Sequence, residues 1–235
     1  MEEHKGDILS SEESVINNQL ASLVVECIRK NEKLPSEQEM MDRFHVSRFM
    51  LRKALQIFEI NGIITPVQGS GRYAQFPDLG KQILNIWSVF IKANPSFLLD
   101  LLEIRKILEI HSLPLAMKQF RTEDLFILRT QVEGMRKNLD AGLPFFQYDR
   151  AFHKTLFLST GNPVLSQLLS AFWDLYESSD LAAVEQPDSE QVINLHYNIM
   201  EALARQDLER ATALLEENFQ DMRNKITLAI IANKL

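Results

Sequence analysis

Asp149, His153 and His196 are the residues of this 235-residue chain whose types and spacing best suit binding chemistry. Asp149 and His153 are four apart in Tyr148-Asp-Arg-Ala-Phe-His153, so on a helix both side chains leave the same face one turn apart. A carboxylate oxygen and an imidazole nitrogen at that spacing form a chelating bite for a first-row transition metal. His196 falls in a later apolar-periodic segment and can close the triangle from across a helical bundle. Spacing alone leaves open the plainer alternative, in which single helical histidines are core residues. Catalysis is a poor fit. The helical region has no His-Glu-x-x-His, no second carboxylate spaced as a general base and no glycine-rich phosphate loop, and the chain reads as a non-enzyme.

A second chemistry lies in Leu34–Tyr73. Pro35-Ser36-Glu37-Gln38-Glu39 carries the S-x-x-E capping box that opens a helix. Ser47 is a fitting N-cap for a second helix opening Arg48-Phe49-Met50-Leu51-Arg52, and Asn61-Gly62 stops it. Ile63-Ile64-Thr65 and Arg72-Tyr73-Ala74 flank Gln68-Gly69-Ser70-Gly71, the pattern of a β-hairpin. Helix, short turn, basic-tipped helix and glycine-tipped hairpin make a winged helix-turn-helix, a DNA-binding arrangement. The first turn of a recognition helix enters the major groove, so Ser47, Arg48, Phe49, Met50 and Arg52 are candidate contacts. Ser47 can cap the helix and donate to a phosphate, while Arg48 can reach a guanine edge or a phosphate. Phe49 and Met50 can read thymine methyls, unless one of them packs into the domain core. Lys53 points round the helix towards phosphate or water.

The charge distribution agrees with a site-selective DNA binder. The net charge is −7, yet Arg43, Arg48, Arg52, Lys53 and Arg72 face one acid, Glu59, between positions 43 and 72. Glu2, Glu3, Asp7, Glu12, Glu13 and Glu26 crowd the first 27 residues against Lys5 alone. Cys27 is the single cysteine, which excludes an intrachain disulfide or cysteine zinc finger and suits a small buried hydrophobe. No signal-peptide pattern and no apolar run of membrane-spanning length is present, so a cytoplasmic protein without membrane contact is expected.

The elements that must position these groups follow. Residues 1–13 read as a flexible acidic tail, 14–76 as the winged helix-turn-helix, 77–81 as a linker and 82–235 as an all-helical domain. The first helix fits Glu13–Arg29, with Ile16, Leu20, Leu23, Val24, Cys27 and Ile28 on one face. After the linker come Gln82–Lys92, a helix capped by Ser96 with Pro114 kinking or splitting it, and one opened by Thr122 and ending near Gly142. Three more are opened by Pro144, Asn162-Pro163 and Asp188-x-x-Gln191, and the last by Asp207. The fold class is mainly α: a winged helix-turn-helix with a small hairpin wing, then a bundle of about seven helices.

Leu34–Tyr73 resembles the DNA-binding domain of the GntR family of bacterial transcription regulators in its LPSE, VSR, R-x-AL and QG-x-G runs. The second half resembles the FCD effector domain that defines the FadR subfamily. Leu102-Glu-Ile-Arg105…Leu108-Glu109 looks like its opening signature, Asp149–His153 its D-x-x-F-H, Gly161-Asn162-Pro163 its turn, and His196–Leu203 its penultimate helix. The resemblance implies the same recognition residues and adds Gln38, Gln68 and Gly69. Phe49 and Met50 stand where relatives usually carry small or hydroxylated residues, and Gln38 where arginine is frequent. The resemblance also implies a divalent metal, zinc or nickel, held by one Asp and three His. The third histidine would fall 22 residues after His196, where this chain has Asn218. Asn is a neutral, weaker donor, leaving three protein ligands plus water or effector, weak metal binding, or a lost site. Family effectors are small organic acids, with acyl-CoA in one branch. Arg105 is then either the counter-charge for an effector carboxylate or half of an i,i+4 ion pair with Glu109. The expected protein is a homodimeric regulator, by family habit a repressor, on a palindromic double-stranded operator.

Overall fold

A computed structural model describes the backbone of residues 3–178 and 189–232, and the side chains of 12–177 and 189–232. The chain divides into two compact units, Met1–Asp78 and Leu79–Leu235.

The first unit holds α1 (Glu3–Lys30), α2 (Glu37–Phe44), α3 (Arg48–Ile60), β1 (Ile64–Val67) and β2 (Gly71–Ala74). Helix α1 begins ten residues before its expected start, because nothing between Glu3 and Glu13 except Gly6 opposes a helix. The segment assigned to a tail is therefore helical from residue 3 onward. The predicted apolar stripe is realised: Ile16, Leu20, Leu23, Val24 and Cys27 are buried with Met40, Leu51, Leu55 and Ile64. Ser36 Oγ accepts from the Glu39 N–H while the Glu39 carboxylate accepts from the Ser36 N–H, completing the capping box. Ser47 Oγ accepts from the Met50 N–H and caps α3. Asn61 stays at φ −79° and Gly62 takes the left-handed turn at φ +67°. β1 and β2 pair antiparallel from Ile64↔Ala74 to Val67↔Gly71, and Lys33 adds a bridge to Tyr73. Gly69 (φ +75°) and Gly71 (φ +115°) carry the hairpin tip through backbone conformations that other residues resist.

The second unit holds seven helices among the described residues. They are α4 (Leu79–Ala93), α5 (Phe97–Gln119), α6 (Thr122–Asp140), α7 (Phe146–Leu158), α8 (Pro163–Ser178), α9 (Ser189–Ala204) and α10 (Leu208–Ile231). Helix α4 starts inside the segment expected as linker. Ser96 does not cap α5; it sits in the helical region with no capping bond, and Asn94 Oδ1 instead accepts the Ser96 N–H. Pro114 lies within one continuous α5, flanked by buried Leu113, Ala116 and Met117, whose packing holds the helix across the missing N–H donor. Asn162 Oδ1 accepts from Val164 and Leu165 N–H ahead of Pro163, and Asp207 accepts from the Arg210 N–H. The expected Asp188 cap and the Pro187 loop lie outside the described residues. Helix α5 packs on α7, α8 and α10, and α6 on α7 and α9. The core gathers Leu113, Leu128, Met135, Phe152, Leu156, Phe172, Ile199, Leu215 and Ile226. At the α6–α7 contact the ring of Tyr148 lies directly over Gly134, where any Cβ would overlap it. No described helix is long and apolar enough to cross a membrane.

Candidate nucleic-acid interface and metal centre

Helix α3 separates the two apolar candidates that the sequence left together. Its amphipathic repeat buries Leu51, Ala54 and Leu55, which turns Phe49 outward at 76% exposure while Met50 packs against the core. Arg48 and Arg52 are exposed with Phe49. Arg48 makes no ion pair among the described residues, whereas Arg52 donates from Nε to Glu37 Oε2 at 3.0 Å. Glu37 also accepts from Arg72 at 3.1 Å, and Arg72 donates to Glu59 at 2.7 Å, so α2, α3 and the wing share one charge network. Burial works against ionising Glu37, but the two guanidiniums prevail and lower its pKa. Lys53 pairs with Glu13 on α1 at 2.5 Å. Gln38 is exposed on α2 and donates to Asp42, and Gln68 and Gly69 are exposed at the hairpin tip.

In the second unit the structure brings Asp149, His153 and His196 together, all buried, with one ligand atom from each within 4.8 Å of the others. Helix α7 supplies the first two and α9 the third. His196 Nε2 lies 2.8 Å from Asp149 Oδ1 and its Nδ1 lies 2.8 Å from the Val192 carbonyl. A carbonyl only accepts, so Nδ1 carries a proton, and an ionised Asp149 then demands a proton on Nε2 as well. Burial disfavours both charges, but the mutual hydrogen bond and attraction outweigh it. The Asp149 pKa falls to about 2, helped by His153 and Arg105, and that of His196 rises. For His196 to hold a metal ion through Nε2, that second proton would have to leave.

His153 is arranged differently. Its Nδ1 is 3.0 Å from Glu109 Oε2, and its Nε2 is fully buried, 3.5 Å from Asp149 Oδ1, with no hydrogen bond. An imidazole nitrogen left without a partner in a core is costly unless something else occupies its lone pair. That orphan fits a metal ligand, and the donor set of one carboxylate and two imidazoles suits zinc or nickel. Asn218 is buried on α10 and makes no side-chain hydrogen bond among the described residues.

Arg105 is only 2% exposed. Its Nε donates to Glu109 Oε1 at 2.6 Å, and its guanidinium lies 3.9 Å from the Trp173 ring centre and 5.3 Å from that of Phe219. The i,i+4 ion pair with Glu109 is thus formed. Burial opposes the Glu109 charge, but Arg105 and His153 overcome it and hold its pKa below the usual range. Sequence reading missed the link from Glu109 to His153 and the roof formed by Trp173. The Arg105–Glu109 spacing was visible, but nothing local announces a partner 44 residues away. Lys225, on α10, also went unnoticed; it is half-buried without an ion pair among the described residues, and burial lowers its pKa despite the pull of Asp149.

Comparison with known proteins matches residues 16–73 to the bacterial regulatory proteins of the gntR family and residues 100–221 to the FCD domain. The uncharacterized HTH-type transcriptional regulator YcbG of Bacillus subtilis (strain 168) is 29% identical over 199 residues, 85% of this chain and 82% of that one. The Uxu operon transcriptional regulator of Escherichia coli (strain K12) is 24% identical over 203 residues, 83% of this chain and 78% of its own length. Among solved structures, Streptococcus agalactiae GntR superposes with a TM-score of 0.64 at 22% identity, covering 89% of this chain and 97% of that one.

Proposed function

We propose, for a chain that belongs to the FCD family and carries the helix-turn-helix domain of the bacterial gntR regulatory proteins, a ligand-gated reading of its role as a DNA-binding transcription regulator. A small organic acid, bound at a metal held by Asp149, His153 and His196, controls operator affinity. The observation that carries this reading is the buried, unpartnered Nε2 of His153 facing the Asp149–His196 pair. Held there, a zinc or nickel ion supplies a Lewis-acidic point for a carboxylate. Its charge exceeds the net charge of Asp149, Glu109 and Arg105 together, so the enclosed centre favours an anion. Asn218, where the resemblance puts a fourth ligand, is a weaker donor than imidazole and would leave that coordination position to the anion. Arg105 is already neutralised by Glu109, and Lys225 is the cation on α10 within electrostatic range of Asp149.

On the DNA side, the unpaired Arg48 and the exposed Phe49 and Arg52 suit the major groove, with Ser47 at the cap. Gln38 and the wing residues Gln68 and Gly69 suit the flanking backbone. Repression of a palindromic operator by a homodimer is the arrangement we favour. The exposed Ile86, Val89 and Phe90 on α4 offer apolar surface for a second copy. The acid shifts DNA binding only by preferring one arrangement of the protein over another.

Elemental analysis and titration with Zn2+ or Ni2+ test the centre. Wild type should take about one ion per chain, and His153→Ala and Asp149→Ala should each lose it, since three ligands leave no redundancy. Fluorescence anisotropy on DNA upstream of the chain's own gene, with and without hydroxy, keto and sugar acids, tests the switch. A wild type that takes no ion under any loading yet releases DNA with an acid sinks the metal reading. It favours instead a metal-free pocket for an anionic metabolite such as an acyl-CoA.

A further inference from the structure

We propose that Glu109 is a positioning residue of the metal centre, fixing His153 in the tautomer and orientation that aim its lone pair at the ion. The inference rests on the metal reading above and adds to it a residue outside the ligand set.

The geometry is a chain of four buried groups. Trp173 backs the Arg105 guanidinium at 3.9 Å, Arg105 donates to Glu109 Oε1 at 2.6 Å, and Glu109 Oε2 meets His153 Nδ1 at 3.0 Å. Arg105, Glu109 and His153 are each almost completely buried, so no water competes for these bonds. Arg105 keeps Glu109 ionised, and an ionised carboxylate can only accept. His153 therefore keeps a proton on Nδ1, which leaves Nε2, the atom without a hydrogen bond beside Asp149 and His196, as the ring nitrogen to meet a metal ion. The second imidazole is fixed in the same sense by a weaker acceptor, the Val192 carbonyl. A carboxylate behind a ligand imidazole also raises its basicity and stiffens its ring orientation, and losing such a partner typically costs about 10–100-fold in metal affinity. This accounts for a buried Arg–Glu pair beside the site better than stability does, since an apolar pair of similar volume would hold the core as well.

The test uses full-length protein. In metal-free wild type, 15N NMR of the histidine rings should show a proton on His153 Nδ1; a ring protonated on Nε2 alone overturns the proposal. Zn2+ affinity is then measured by chelator competition, and the ligand field by Co2+ absorption, in wild type and in Glu109→Gln. A Gln amide turned towards Nδ1 stabilises the wrong tautomer, so affinity should fall about 10–100-fold and the Co2+ bands should change. Because Glu109→Gln leaves Arg105 without a counter-charge and can unfold the chain, the double variant Arg105→Met/Glu109→Met removes both charges and any acceptor for Nδ1, and should show the same loss at a near-wild-type metal-free melting temperature. Wild-type binding with equal affinity and unchanged Co2+ bands in a folded double variant overturns the positioning role while leaving the metal centre standing. Wild type that binds neither Zn2+ nor Co2+ overturns both.

Discussion

Arg52 and Arg105 make the same bond, Nε to a glutamate oxygen, in the two units of this chain, yet the bonds mean opposite things. Arg52 reaches Glu37 at 3.0 Å with its side chain 61% exposed; Arg105 reaches Glu109 at 2.6 Å with 3% exposed. A pair in water contributes at most about 1 kcal/mol and exchanges freely, so Glu37 holds Arg52 ready without withholding it from DNA. The buried pair has no solvent to fall back on. Breaking it strands a charge in the core. An arginine near a candidate site is thus a recognition group only where its present partner can be exchanged cheaply.

Removing each arginine sharpens that contrast. Arg105→Ala should destabilise the second unit by about 3–5 kcal/mol, because Glu109 is left charged and buried, as read by chemical denaturation of metal-free protein. An effect below about 1 kcal/mol would erase the distinction between the two pairs. Arg52→Ala and Arg48→Ala should leave folding within about 0.5 kcal/mol but weaken operator binding by about 1–3 kcal/mol at matched salt. Normal operator affinity in both variants would remove α3 as the recognition helix. The smallest effect belongs to Asn218→His. A fourth donor should tighten Zn2+ or Ni2+ binding about tenfold, near 1.4 kcal/mol, in a competition titration. Unchanged affinity would place residue 218 outside the coordination shell.

What was legible in the sequence was what is decided locally. The caps at Ser36, Ser47, Asn162 and Asp207 each depend on three or four neighbouring residues, and all are made. Ser96 shows the limit of such reading, since Asn94 two residues earlier takes its N–H and Ser96 turns helical. Asp149 and His153 share a face by helical spacing alone, and His196 was a candidate third member from its place in a later apolar-periodic segment. By contrast, the Glu109–His153 bond and the Trp173 stack depend on how α5, α7 and α8 pack, which no window of sequence contains. Which of Phe49 and Met50 packs inward was open for the same reason: adjacent apolar residues are sorted only once Leu51 and Leu55 are seen to define the inward face of α3.

The contact between Gly134 and the Tyr148 ring carries a consequence for how this protein can diverge. Helix α6 approaches α7 closely there because residue 134 has no Cβ, and Tyr148 precedes the aspartate of the buried cluster. Gly134→Ala would gain about 1 kcal/mol of helix propensity at an ordinary site, but here it pushes into an aromatic ring whose own helix carries Asp149 and His153. Drift at the two positions is therefore coupled. Among descendants of this sequence, a larger residue at 134 should coincide with a smaller one at 148, and lineages that keep the aspartate and both histidines should be the slowest to make that exchange.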